Sequence, residues 1–400
     1  MPKLQVPRRY AQRVAEIEPF RVVEVLQRAT ALQAQGRDIV HMAAGEPDFA
    51  TAAPIVEAGR ASLARGETYY TGAAGIPDLR QAISDFYASE YSLDIAPSRI
   101  MVTPGASGAL LLISALLMNP GDGMLMADPG YPCNRHFLRL VEGEGQLVPV
   151  GADTRYQLNP QLIEAHWQPN TVGVMAASPA NPTGTVLSTN ELSALSRSVK
   201  ARQGYLVVDE IYHGLGYDAD TPSVLSVDPE AFVINSFSKY FGMTGWRLGW
   251  LVAPEDAVVE MEKLAQNLFI SMSTMAQYAA LAGFLPATRA ILDERRDIFC
   301  QRRDYLLPAV RELGFDVPCT PQGAFYIYAD ASRFTTDSQA FCMDLLEQHG
   351  VALTPGLDFG HYRSAEHLRF SYTTSMDRLE EAVERLGKVL GPQGLRASCE

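Results

Sequence analysis

The segment from residue 235 to residue 250, NSFSKYFGMTGWRLGW, places a lysine and an arginine in a stretch with few other charges. Lys239 follows Ser236 and Ser238, and Arg247 comes eight residues after the lysine. A desolvated lysine has a lowered pKa and bonds to aldehydes, whereas serine hydroxyls and an arginine bind phosphate. The segment therefore predicts a site for one small molecule that carries both an aldehyde and a phosphate.

Other polar and aromatic residues stand where apolar segments end. They are Gly105, Ala106 and Ser107 at a helix start, Tyr131, Asn181, Asp209 and Tyr212. Ligands of open α/β sheets bind beyond the carboxyl ends of the strands, so we expect these groups to meet at one rim.

The set matches the requirements of pyridoxal phosphate. Its phosphate requires N–H groups at a helix N-terminus, hydroxyls and an arginine, supplied here by Gly105, Ala106, Ser107, Ser236, Ser238 and Arg247. Asp209 fits the protonated pyridine nitrogen, which acts as an electron sink. Asn181 and Tyr212 can donate to the phenolic oxygen, and Tyr131 offers a flat face to the ring.

The elements that must position these groups predict an α/β fold. The segments RIMVT, GMLMAD, TVGVMAAS, YLVVD and FVINS are apolar throughout, which is typical of parallel strands covered on both faces. We expect a mostly parallel, seven-stranded-type sheet with helices on both faces, followed by a smaller α+β domain. The predicted bounds are 1–48 for an N-terminal segment packing with the small domain, 49–287 for the large cofactor-binding domain and 288–400 for the small one.

Local patterns refine this outline. Residues 19–36 predict a helix and 38–49 a short strand that runs into a turn. In the C-terminal part, 323–330 and 367–374 predict strands, and 375–391 predicts an amphipathic helix.

Composition disfavours several partners. The chain has 33 basic and 46 acidic residues, and this balance argues against nucleic acid and anionic membranes. Its apolar runs are too short to span a bilayer, and its N-terminus lacks the apolar core of a signal peptide. The five cysteines, Cys133, Cys300, Cys319, Cys342 and Cys399, are scattered without a C-x-x-C pair. We therefore expect a cytoplasmic location. His361 and His367 have no metal-ligand spacing around them, so we expect surface histidines and no metal.

Seven segments, in order, resemble the class I/II aminotransferases of pyridoxal-phosphate fold type I, the aspartate aminotransferase superfamily. They are AGEPDF (44–49), YTGAAGIPDLR (70–80), SPANPTG (178–184), VVDEIY (207–212), SFSKYFGMTGWRLGW (236–250), GAFYIY (323–328) and HLRFSY (367–372). The resemblance implies that Lys239 forms the Schiff base with the cofactor. It also implies that Arg369, Asn181 and the Gly45 backbone bind the substrate, and that Tyr70 reaches the phosphate of the neighbouring subunit in a homodimer.

The resemblance implies ping-pong transamination between an L-amino acid and a 2-oxo acid. In one similar bacterial branch, a lysine in the phosphate-binding turn meets acidic substrate side chains, and Ser107 stands at that position here. Residues 265–278 contain no arginine and are rich in apolar side chains, which favours a neutral or hydrophobic amino acid. Aspartate is the alternative substrate, and a β- or γ-eliminating lyase is the alternative reaction. A transcription regulator is disfavoured, because only about fifty residues precede the sheet region and they show no basic helix-turn-helix pattern.

Overall fold

The computed structural model describes residues 10–390. Its α-helices are α1 (Arg21–Ala34), α2 (Ala53–Ala64), α3 (Pro77–Tyr91), α4 (Gly105–Leu117), α5 (Cys133–Leu140), α6 (Pro160–His166), α7 (Thr189–Lys200), α8 (Glu255–Leu268), α9 (Thr274–Leu281), α10 (Pro286–Glu312), α11 (Ser338–His349) and α12 (Met376–Leu390). Its strands are β1 (Val40–His41), β2 (Ile100–Thr103), β3 (Gly123–Asp128), β4 (Glu144–Pro149), β5 (Thr171–Ala177), β6 (Tyr205–Asp209), β7 (Phe232–Ser236), β8 (Gly249–Val252), β9 (Tyr326–Asp330), β10 (Val351–Ala352), β11 (Thr354–Pro355) and β12 (His367–Ser371).

A seven-stranded sheet with the order β2-β8-β7-β6-β5-β3-β4 forms the centre of the molecule. The pairs among β7, β6, β5, β3 and β4 are parallel, whereas β8 runs antiparallel to both β2 and β7. This confirms the predicted α/β class with a mostly parallel sheet.

Alternate residues of the strands enter apolar cores on the two faces of this sheet. In β6, Leu206 and Val208 belong to one core and Val207 to the other. Strands covered on both faces need apolar residues at every position, which explains why these segments lack alternation. The edge strand β4 mixes exposed and buried residues. Its sequence is therefore less apolar, and the sequence did not predict this strand.

Two small sheets lie outside the central one. Strands β11, β12 and β9 form an antiparallel sheet, and β1 pairs in parallel with β10. The strand predicted at 38–49 shortens to β1, because the carbonyl groups of Ala43 and Ala44 accept hydrogen bonds from the side chains of Arg369 and Thr373.

The predicted domain bounds stay a prediction. Helix α10 begins at Pro286, next to the predicted boundary at 287, and continues to Glu312. The outer ends of the predicted first and last segments, 1–9 and 391–400, lie outside the described residues, as does Cys399. Within 10–390, no helix is long and apolar enough to cross a membrane.

The expectation of a surface histidine is wrong for His367. This residue lies in β12, the central strand of the three-stranded sheet, where every side chain is buried. Its ring stacks on Tyr328 at 4.8 Å between centroids, and its Nδ1 lies 2.9 Å from the carbonyl oxygen of Arg363. His361 is exposed, as expected.

Candidate active site

A cavity of about 240 Å³ lies at the carboxyl ends of the parallel strands and reaches the three-stranded sheet. Most of the predicted site residues line it: Gly45, Ala106, Ser107, Tyr131, Asn181, Asp209, Tyr212, Ser236, Ser238, Lys239, Arg247 and Arg369. Gly105 stands directly behind this lining, against Arg247. Tyr70 does not line the cavity of its own chain and is 80% exposed.

Lys239 extends from the loop after β7 into the cavity. Its Nζ donates a hydrogen bond to the carbonyl oxygen of Gly45 at 2.5 Å. Burial, together with the positive charge of Arg369, lowers the pKa of Lys239 to about 8, against the opposing effect of Glu46. A larger fraction of this amine is neutral near neutral pH than for a surface lysine, so it can act as a base or a nucleophile.

Asp209 ends β6, between β5 and β7 in the middle of the sheet. Its Oδ1 accepts a hydrogen bond from the backbone N–H of Ile211 at 3.0 Å. Burial raises the pKa of Asp209 to about 6, against the hydrogen bond from Ile211 and the charge of Lys239, which lower it. Asp209 lines the cavity, and within 10–390 no cation lies within salt-bridge distance of its carboxylate, so it can accept a cationic N–H group from a ligand.

Five residues of the lining, together with Gly105 behind them, make up a group that we call the cradle: Gly105, Ala106, Ser107, Ser236, Ser238 and Arg247. Helix α4 begins here and presents the unpaired N–H groups of its first turn. Gly105 has a φ of +71°, and a Cβ on it would lie 2.8 Å from Nη2 of Arg247, so a larger residue would push the guanidinium away.

The cradle also has two buried serines and a guanidinium. Ser236 Oγ accepts a hydrogen bond from the Ser238 N–H at 3.1 Å. Arg247 donates only to the Thr244 carbonyl oxygen, at 3.1 Å, and no carboxylate of the described chain pairs with it. Helix N–H groups, hydroxyls and an unpaired arginine together fit a phosphate dianion.

Arg369 projects from β12 and is only 4% exposed. Its Nη1 donates to Oδ1 of Asn181 at 2.9 Å, and its Nη2 donates to the Ala43 carbonyl oxygen at 2.7 Å. The guanidinium lies between the rings of Tyr326, 4.2 Å from the centroid, and Phe359, at 4.8 Å.

The Nε of Arg369 is buried without a hydrogen-bond partner, and no acidic side chain of the described residues pairs with this arginine. A buried guanidinium with an unused donor is costly on its own. Because it lines the cavity, it fits a carboxylate ligand.

Two predicted tyrosines complete the wall. Tyr131 follows β3 and lies 6.3 Å from the ring of Phe20, measured between centroids. Tyr212 follows β6, and its hydroxyl oxygen lies 2.9 Å from that of Tyr326. The residues present thus fit each group of pyridoxal phosphate that the sequence suggested: amine to aldehyde, carboxylate to ring nitrogen and cradle to phosphate.

Sequence reasoning missed several residues of the lining. They are Phe20, Val22, Leu110, Tyr326, Asp358 and Phe359. Asp358 accepts a hydrogen bond from the backbone N–H of Arg21 at 2.8 Å, and thereby holds the start of α1 over the cavity. Tyr326 lies in the GAFYIY segment that supported the resemblance, but an aromatic residue in an apolar strand predicts core packing.

Comparison with known proteins gives a consistent result over nearly the whole chain. A family model described as aminotransferase class I and II matches residues 37–386. A valine–pyruvate aminotransferase of Mycobacterium tuberculosis is 38% identical over 381 residues, which are 95% of this chain and 98% of that protein. An aspartate/prephenate aminotransferase of Thermus thermophilus is 35% identical over 384 residues, 95% of this chain and 98% of that protein.

Solved structures agree. The crystal structure of an aminotransferase from Mycobacterium tuberculosis superposes with a TM-score of 0.93 at 38% identity, covering 96% of this chain and 99% of that one. The aspartate aminotransferase of Thermus thermophilus with maleate gives a TM-score of 0.90 at 34% identity, covering 95% and 99%.

Proposed function

This chain belongs to the class I and class II aminotransferases, and we propose that its amino donor is a neutral, apolar L-amino acid. The enzyme is a transaminase that acts on amino acids and 2-oxo acids with pyridoxal 5′-phosphate as its cofactor. The eliminating lyase is not favoured, because the relatives are aminotransferases. The observation behind the proposed donor is the set of apolar side chains in the cavity lining, which includes Phe20, Val22, Leu110 and Phe359.

When bound, pyridoxal phosphate supplies the carbonyl that takes up the amino group and a conjugated ring that delocalises the electron pair left on Cα after deprotonation. We assign Lys239 as the amine that bonds to the cofactor and as the base that moves the Cα proton. Its Nζ lies in the cavity, and its pKa is lowered to about 8. Proton transfer by a positioned base is typically worth about 10²–10⁴-fold in rate.

The other residues bind and orient. Asp209 keeps the ring nitrogen protonated, since a buried carboxylate without a cationic partner favours an adjacent positive charge. Tyr212 and Asn181 donate to the phenolic oxygen, and Tyr131 covers the ring. The cradle binds the phosphate.

Arg369, with Asn181 and the Gly45 backbone, binds the α-carboxylate of both substrates. A bidentate arginine fixes two atoms at once, so the amino acid can present only one of its Cα bonds to the ring face. The same Arg369 guanidinium binds the 2-oxo acid, which also carries an α-carboxylate.

The charges of the cavity support a neutral side chain. Its cationic lining residues are Lys239, Arg247 and Arg369, and each already has a proposed role. Asp358 adds a carboxylate to the lining. A second substrate carboxylate would meet no spare cation in the part of this chain that the structure describes, and its desolvation would be costly. The name of the valine–pyruvate relative agrees with this proposal.

A panel of amino donors tests the proposal. We expect valine, alanine and leucine to exceed aspartate and glutamate in kcat/KM by at least about tenfold, which corresponds to roughly 1.4 kcal/mol of transition-state binding. The acceptors are pyruvate and 2-oxoglutarate, each at saturation. A clear preference for aspartate would overturn the proposal.

Substitution of the lysine tests the assigned base. Purified Lys239→Ala should lose the visible absorbance of the lysine-bound cofactor and nearly all turnover. Lys263→Ala is the matched control, because Lys263 lies on the exposed side of α8 and pairs with Glu260. Full activity of Lys239→Ala would remove Lys239 from its assigned role.

We also propose a homodimer in which Tyr70 reaches the phosphate of the neighbouring subunit. Tyr69 and Tyr70 are 83% and 80% exposed, and Leu268 and Ile270 on nearby segments are about half exposed. Apolar surface of this kind supports burial against a second copy. Sedimentation should give a dimer, and Tyr70→Phe should weaken cofactor affinity. A monomer with full cofactor affinity would contradict the proposal.

For location we propose the cytoplasm. Cys133, Cys300, Cys319 and Cys342 are unbonded thiols, which suits a reducing compartment. Fractionation of the native cell tests this, and recovery of the protein outside the cytoplasm would contradict it.

A further inference from the structure

Tyr326 is a buried tyrosine at the boundary between the two larger sheets. It begins β9 in the three-stranded sheet and is 1% exposed, yet its side chain lines the cavity. Its hydroxyl oxygen lies 2.9 Å from that of Tyr212, which follows β6 of the seven-stranded sheet. This hydrogen bond therefore joins the two sheets inside the site.

The ring of Tyr326 has a second contact. The guanidinium carbon of Arg369 lies 4.2 Å from the ring centroid, and Arg369 has an unpartnered Nε. A guanidinium over an aromatic face is attracted by the ring and held parallel to it. The same side chain thus touches both the arginine assigned to the substrate and the tyrosine assigned to the cofactor.

The backbone around Tyr326 leaves little freedom for its hydroxyl. A Cβ on Gly45 would lie 2.6 Å from the Tyr326 hydroxyl oxygen, so the absence of a side chain at Gly45 makes room for this group. The carbonyl of Gly45 accepts the hydrogen bond from Lys239. The hydroxyl is thereby confined between Gly45 and Tyr212.

We propose that Tyr326 is a positioning residue with two separable roles: its hydroxyl donates to Tyr212, and its ring holds the guanidinium of Arg369 in place for the carboxylate. The inference rests on the proposed functions of Tyr212 and Arg369. A phenol has one proton to donate. If Tyr212 donates its proton to the phenolic oxygen of the cofactor, the proton between the two tyrosines belongs to Tyr326.

The two roles predict different effects for two substitutions. Tyr326→Phe removes the hydroxyl and keeps the ring face. Because a hydrogen bond received by Tyr212 strengthens the one it donates, its loss destabilises negative charge on the cofactor oxygen. Tyr326→Leu removes the ring face as well, so the guanidinium keeps only its contact with Phe359.

The experiment uses the holoenzyme and two measurements. The first is the pH midpoint of the visible absorbance change of the bound cofactor, and the second is KM for the amino acid and for the 2-oxo acid. In Tyr326→Phe we expect the midpoint to rise by about half a pH unit, with KM within about twofold of the wild type. In Tyr326→Leu we expect KM for both substrates to rise about tenfold.

Tyr328→Phe is the matched control. Tyr328 lies two residues further along β9, and its hydroxyl is buried without a hydrogen-bond partner. The control should keep the wild-type midpoint. If Tyr326→Phe keeps the wild-type midpoint, or if Tyr328→Phe shifts it equally, the hydroxyl role is wrong. If Tyr326→Leu leaves KM unchanged, the ring role is wrong.

Tyr212→Phe separates this inference from the proposed function. The pH midpoint of Tyr212→Phe should rise more than that of Tyr326→Phe. The midpoint of the double variant should be no higher than that of Tyr212→Phe alone. If Tyr212→Phe kept the wild-type pH midpoint, the role assigned to Tyr212 itself would be wrong. If the midpoint shift of the double variant equalled the sum of the two single shifts, the role of Tyr212 would stand. Only the inference about Tyr326 would then be wrong.

Discussion

The carboxylate of Asp128 occupies the space into which a side chain on Gly360 would project: a Cβ there would lie 1.8 Å from Oδ1 of the aspartate. The same carboxylate accepts hydrogen bonds from the backbone N–H groups of His361, at 3.0 and 3.1 Å, and Tyr362, at 3.1 Å. Asp128 ends β3, and Gly360 follows Phe359, whose ring covers Arg369. The contact therefore ties the central sheet to a loop that shapes the carboxylate site.

Gly360→Ala should destabilise the protein and weaken substrate binding. The added methyl group meets Asp128, and the φ of Gly360 is +153°, so we expect a loss of about 2 kcal/mol in the free energy of unfolding. As the loop shifts, Phe359 moves off Arg369 and KM rises. Denaturant unfolding and steady-state kinetics measure the two effects.

Gly245→Ala is the control for this substitution, because a Cβ at Gly245 would meet nothing within 4 Å. Asp128→Ala frees the space at Gly360. We therefore expect the double variant Asp128→Ala, Gly360→Ala to lose less stability than the sum of the single losses. Strict additivity would show that the two residues do not compete for the same space.

Asp209→Asn should become more stable relative to the wild-type apoprotein as the pH rises. The pKa of Asp209 is about 6 when folded, raised by burial from its ordinary 3.8. Below pH 3.8 the carboxyl is mostly protonated in both the folded and the unfolded protein, so no charge is buried on folding. Above about 6 it is ionised in both states, and the folded state bears the full penalty of about 2–3 kcal/mol.

Asparagine does not ionise and avoids this penalty. The free energy of unfolding of Asp209→Asn, relative to that of the wild type, should therefore increase by about 2–3 kcal/mol between pH 4 and pH 7. Denaturant unfolding of the cofactor-free proteins at several pH values measures it. Asp94→Asn, which changes an exposed aspartate in the same way, is the matched control. A difference that stays constant with pH would mean that the Asp209 carboxylate is not desolvated in the apoprotein.

Arg369→Lys should raise KM for the amino acid and for the 2-oxo acid by roughly 10²-fold each. Lysine keeps the charge but cannot form the bidentate pair or lie flat between Tyr326 and Phe359. The absorbance of the bound cofactor should persist, because the cradle and Lys239 are untouched. An increase in KM for only one of the two substrates would show that they do not share this carboxylate site.

Ser107→Lys should shift the preference toward aspartate. Ser107 lines the cavity and is exposed, so a lysine there places a cation within reach of a second substrate carboxylate. We expect the ratio of kcat/KM for aspartate to that for valine to rise about tenfold. Ser107→Met has a similar length without the charge. If Met raised the ratio as much as Lys, the charge argument would fail.

The residues that could be placed from sequence are those at strand ends. Lys239 and Asp209 stand at the ends of apolar segments. Because the carboxyl ends of parallel strands meet at one edge of the sheet, their positions in the sequence predicted that they lie close together. The same reasoning gave the fold class, because doubly covered strands are apolar at every position.

The residues that sequence reasoning missed depend on contacts between distant parts of the chain. Phe20, Tyr326 and Phe359 come from three segments outside the central sheet and look like core aromatics until those segments meet at the cavity. His367 was placed on the surface because nothing in its neighbours shows that β12 is a central strand. Strand β4 was missed because its exposed and partly exposed residues interrupt the apolar pattern, whereas the other edge strand, β2, is buried throughout.

The position of β8 has a consequence for how the enzyme matures. This strand is inserted between β2 and β7, and Gly249 at its start pairs with Thr103 at the end of β2. The contact of Gly105 with Arg247 thus joins early and late parts of the chain, and such distant pairing forms slowly. All six cradle residues precede β8, but a ribosome-bound chain that ends before β8 lacks the strand that joins β2 to β7 and packs against Gly105. If the cradle holds the cofactor phosphate as proposed, we expect the cofactor to stabilise, by mass action, only molecules in which β8 has joined the central sheet.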